Sequence, residues 1–70
     1  MGKLSNIKKG RNYRITIIFK DEIIVEKFET QAIAIKTVNN MKELFPKMFV
    51  GGAVEERRKK WEVIWTVQKN

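Results

Sequence analysis

NYRITIIFKDEIIVEKF, residues 12 to 28, alternates side-chain character twice, with an acidic pair between the two runs. Tyr13, Ile15, Ile17 and Phe19 point one way; Arg14, Thr16, Ile18 and Lys20 point the other. A period of two with β-branched residues predicts a strand. Asp21 and Glu22 predict a two-residue turn, after which EIIVEKF returns as a second strand. Such a turn sets Ile24 opposite Phe19 and Phe28 opposite Ile15, with large apolar pairs on the inner face. Glu26 is the misfit of that register.

Downstream of this hairpin the period changes. In QAIAIKTVNNMKELF, residues 31–45, successive side chains turn by about 100° on a helix. That gathers Ala34, Thr37, Val38, Met41, Leu44 and Phe45 on one stripe, opposite Lys36, Asn39, Asn40 and Glu43. Ile35 falls off the stripe and is expected to be exposed. Thr30 is the candidate N-cap, and Pro46 ends the helix because the residue before a proline resists helical geometry.

Residues 48–57 read as a third strand interrupted at Gly51-Gly52, and residues 61–68 as a fourth. The expected fold is α+β with element order ββαββ. If the helix returns the chain in the direction of strand two, strand three lies antiparallel beside strand one, and the four-stranded antiparallel sheet takes the order 2-1-3-4, with the helix on one face. Residues 1–11 read as a flexible basic arm, and residues 12–70 as a single small domain.

The last hairpin decides where the tryptophans face. Trp61, Val63, Trp65 and Val67 share one side of strand four; Glu62, Ile64, Thr66 and Gln68 share the other. With an even loop around Arg58-Lys59, Val54 faces Val63, Gly52 faces Trp65 and Val50 faces Val67. On that register Trp65 is core, with Gly52 beneath its indole, and Trp61 is half exposed near the tip. Glu55 then opposes Glu62, softened by Arg57 and Lys60. Gly51-Gly52 lacks the spacing of a phosphate-binding loop, so packing or a β-bulge is the expected purpose.

At the joint between strand two and the helix, Phe28, Thr30 and Ala34 form an F-x-T-x-x-x-A pattern. It faintly resembles the arm-binding N-terminal domains of tyrosine integrases, which also pair a small sheet with one helix. Those domains place three strands before the helix where this chain has two, and the pattern is not counted as membership.

Composition narrows the chemistry. Among 70 residues there is no cysteine and no histidine, which removes disulfides, zinc clusters and the common base–nucleophile pairs. No catalytic residues, metal or cofactor are expected, and neither an enzyme nor a small-molecule substrate. No apolar run reaches the roughly 20 residues of a membrane span, and the start lacks a signal-peptide pattern; the expected location is cytoplasmic, with no membrane partner.

The net charge is +7, from fifteen Lys and Arg against eight Asp and Glu. Residues 1–20 hold six bases and no acid. This asymmetry points to an anionic partner. The candidate nucleic-acid-binding residues are Arg57, Arg58, Lys59 and Lys60 at the hairpin tip, with Lys8, Lys9, Arg11 and Arg14 from the arm and strand one. They would grip phosphates without reading bases. The plainer reading of the tip is a solvated turn. The competing function is a protein-interaction or homodimeric module that binds through the outer sheet face, where Ile18, Val25 and Ile64 are expected to point.

Overall fold

The computed structural model describes residues 11–69. Its elements are β1 (Tyr13–Phe19), β2 (Ile23–Phe28), α1 (Gln31–Leu44), β3 (Phe49–Arg57) and β4 (Trp61–Gln68). All strand pairs are antiparallel, in the order β2-β1-β3-β4. The α+β fold and the strand order are those expected. The proposed arm lies, apart from Arg11, outside the described residues.

Thr30 caps α1, its Oγ1 accepting a hydrogen bond from the Ile33 N–H at 3.3 Å. At the other end the Phe45 N–H donates to the Met41 carbonyl at 3.0 Å, and Pro46 follows at once. The helix packs over β3, β1 and β2. Ala34 and Val38 are fully buried against the sheet, joining Ile15, Ile17, Phe19, Phe49 and Val54 in the core.

The buried stripe is rotated from the one expected. Ile35 packs partly against the core, whereas Leu44 is 67% exposed. The chain must leave the helix here to enter β3. Phe45, itself exposed, still meets Phe19 edge-on, with ring centroids 5.9 Å apart.

Both hairpin registers differ from the sequence expectation, for different reasons. In the first, Ile17 opposes Ile24 and Tyr13 opposes Phe28, a slip of two residues. Phe19 leaves the β2 ladder and pairs with Phe49 of β3 instead, across a bulge that sets Val50 aside. Its ring meets Phe49 edge-on at 6.5 Å, so an aromatic cluster replaces the expected Phe19–Ile24 pair. A slip of two preserves facing, since side chains alternate with period two.

The second difference does change facing. The β3–β4 connection has three residues, 58–60, so Arg57 opposes Trp61 and Glu56 opposes Glu62. Further along, the ladder shifts between Val54 and Glu55, and Ile64 is the extra residue on β4. Beyond that bulge Val54 opposes Trp65 and Gly52 opposes Val67. Trp65 and Val67 therefore remain on the helix side, and the bulged Ile64 packs there as well. Trp61 and Val63 turn to the outer face. Trp65 is only half buried, because β4 is an edge strand and the helix packs over β3, β1 and β2.

Gly52 has a different neighbour from the one expected. A Cβ built on it would lie 2.5 Å from Val38 Cγ1. The glycine lets the helix approach the sheet; it does not seat an indole. β3 runs through both glycines without a break, and neither has a positive φ.

Candidate nucleic-acid interface

The outer face of the sheet can be laid out row by row from the strand registers. Lys27, Arg14, Glu55 and Val63 cross the sheet from β2 to β4. The next row is Val25, Thr16, Ala53 and Thr66, followed by Ile23, Ile18, Gly51 and Gln68. The face therefore has two unlike ends. Charge and an indole gather toward the 58–60 turn, and bare aliphatic side chains gather away from it.

At the charged end, Arg14 Nε donates to Glu55 Oε1 at 2.7 Å. Its guanidinium lies over the Trp61 ring, 4.5 Å from the centroid. Lys27 Nζ stands over the same ring at 5.9 Å. The indole quadrupole attracts both cations. Trp61 stays partly exposed, so this cluster sits at the surface and is not sealed beneath it. The hydrogen bond to Glu55 raises the Arg14 pKa, opposed by partial burial and helped by the carboxylate's charge. Arg14 is thus a permanent cation held in one orientation.

The tip divides into two roles. Arg58 bonds Glu56 Oε1 through Nε at 3.0 Å and Nη2 at 2.7 Å, and reaches Glu62 Oε1 at 3.5 Å. It therefore bridges the like-charged pair that the register sets face to face. The hydrogen bond to Glu56, then the charges of Glu56 and Glu62, raise its pKa further above the ordinary arginine value. The sequence had suggested Glu55 opposite Glu62, compensated by Arg57 and Lys60; the odd loop substitutes Glu56 and gives the compensation to Arg58. Arg57, Lys59 and Lys60 are exposed and form no ion pair among the described residues.

Of the other residues singled out from the sequence, Arg11 is exposed beside the start of β1, and Lys8 and Lys9 lie outside the described residues. Ile18 and Val25 are on the outer face, 41% and 54% exposed. Ile64 is not: the bulge carries it to the inner side, against the core. Its place on the outer face is taken by Val63, and the apolar end gains Ile23, which opposes Ile18. Sequence reading missed Trp61 and Lys27 as partners in one cluster. The available signal was the parity of the last turn: three residues turn Trp61 outward, two or four turn it inward.

No protein-family model matches this chain, and no curated protein or solved structure matches it. Among the described residues, no helix is long and apolar enough to cross a membrane.

Proposed function

We propose that this chain is a small, non-catalytic nucleic-acid-binding domain that grips the phosphate backbone with the β3–β4 tip and the charged end of the outer sheet face. One observation carries this reading: three tip cations with no ion pair among the described residues, Arg57, Lys59 and Lys60, adjoin the Arg14–Lys27–Trp61 cluster at the same end of the sheet. Arg58 acts differently from its neighbours, holding the tip together by bridging Glu56 and Glu62. Arg11 extends the basic surface at the start of β1, and Lys8 and Lys9, outside the described residues, are proposed to add to the grip on phosphates. No His or Cys is present for general-base or nucleophilic catalysis, which supports binding over turnover.

Substituting Arg57, Lys59 and Lys60 together by Gln is the direct test. Each phosphate contact contributes roughly −0.7 to −0.9 to the slope of log K against log salt. The triple variant should therefore flatten that slope by about 2 to 3 and weaken binding at 50 mM salt. Its melting temperature should barely move, because the three side chains are exposed and form no ion pair among the described residues. Equal binding by the triple variant removes the proposal.

The opposite end of the same face favours a second reading. Ile18, Ile23 and Val25 are neighbours on two paired strands, all exposed. A contiguous apolar patch on a small sheet is a common protein contact, and here it would support a homodimer or a protein-interaction module. Sedimentation equilibrium at micromolar concentration should then show a dimer, and Ile18→Lys should dissociate it without unfolding the chain. A wild type that stays monomeric at high concentration discards the homodimer.

A further inference from the structure

We propose that the ligand is single-stranded nucleic acid and that Trp61 stacks on one of its unpaired bases; this rests on the reading above and specifies its substrate. The sequence had suggested the opposite, with both indoles turned inward and base contacts absent. The observed register reverses the premise for one of them. Trp61 lies on the outer face, partly exposed, with the Arg14 guanidinium 4.5 Å from its ring centroid.

Three features of the surface favour a single strand over a duplex. First, the basic and aromatic groups lie on an open sheet face, where bases splayed from a single strand can lie flat. An indole with cations beside it is the arrangement that holds such strands: the cations track phosphates and the ring takes a base. A paired base inside a duplex has no free face to offer. Second, the element most suited to a duplex groove carries little charge. The solvent side of α1 presents Asn39, Asn40 and Glu43 beside Lys36. Third, the indole is pre-set. Arg14 is tied by Glu55 at 2.7 Å, so the guanidinium lies over the ring before any ligand arrives. Glu55 is a positioning residue here, with no contact to the ligand.

The two tryptophans permit a clean readout. Trp65 is on the helix side of the sheet, so Trp65→Phe yields a protein whose only indole is Trp61. Titration of that variant with a labelled 12-nucleotide single strand and with the matching duplex, at 50 mM salt, measures affinity and Trp61 fluorescence together. The expected result is quenching of Trp61 by the single strand and preferential binding over the duplex. In the wild-type background Trp61→Leu should weaken single-strand binding roughly 5- to 150-fold, the range for loss of one base stack, whereas Trp61→Phe should restore much of it. The salt slope should stay unchanged in Trp61→Leu, since no phosphate contact is removed. Equal or better duplex binding without quenching overturns the single-strand inference and leaves the backbone-binding domain standing. Absence of binding to either nucleic acid overturns both.

Discussion

Phe49→Ala should leave a chain that is largely unfolded in water. Phe49 is the largest fully buried side chain, with no exposure, and it holds Phe19 in place at the first bulge. Truncating a core phenylalanine typically costs about 3–5 kcal/mol. A domain of this length commonly has no more than roughly 3–5 kcal/mol in total, so the substitution consumes nearly all of it. Trp65→Ala is the informative comparison. The sequence suggests that this indole is core, yet it packs against the core only half buried, on an edge strand. Its alanine variant should remain folded with a lowered urea midpoint. Far-UV circular dichroism and urea titration of both variants separate the cases. The core assignment fails if Phe49→Ala melts like wild type while Trp65→Ala is unfolded.

Gly52→Ala should destabilise the domain by about 1–3 kcal/mol, although alanine is normally the better strand residue. The new methyl would stand 2.5 Å from Val38 Cγ1. Val38 cannot swing aside easily: it is β-branched, helical and fully buried, and valine in a helix strongly prefers one rotamer. The overpacking outweighs the roughly 0.5–1 kcal/mol gained by removing a glycine from a strand interior. Gly51→Ala is the control. Its methyl meets only the Val67 carbonyl at 3.5 Å, an ordinary contact, and stability should hold or rise slightly. Val38→Ala opens the space that Gly52→Ala needs. In that background the second substitution should be close to neutral, and a double-mutant cycle by urea unfolding gives the coupling. Additive effects would show that the helix is not seated on Gly52.

The charge layout also explains why the tip should not be treated as four equivalent bases. Arg58 is committed to Glu56 and Glu62, and Arg14 to Glu55, whereas Arg57, Lys59 and Lys60 have no such partner among the described residues. Only a cation free to exchange its counterion for a phosphate contributes fully to a salt slope. The sequence shows where the bases are; the paired carboxylates decide which of them are available.

Much of the fold was legible in the sequence because it depends on periodicity, which is a local property. Alternation over residues 13–19 predicts β1 and its inner face, and the switch to helical spacing after Thr30 predicts α1. The ββαββ order, the N-cap, the stop at Pro46 and the strand order all follow from such signals, together with the way the helix carries the chain back. Ile18 and Val25 were likewise placed on the outer face correctly, since neither register change altered their phase.

Tertiary structure decided the placements that depend on counting across a turn or a bulge. A three-residue connection turns Trp61 and Val63 outward, and the extra residue Ile64 returns Trp65 and Val67 to the helix side. Alternation within β4 is blind to both, because one inserted residue reverses every facing beyond it. The choice is made by groups distant in sequence. Arg14 and Lys27 meet the outward indole, Arg58 bridges Glu56 and Glu62, and Val54 receives Trp65 across the ladder. Gly52 follows the same logic. The sequence shows a glycine that interrupts a strand, whereas only the packed helix shows that Val38 occupies the space a side chain would need.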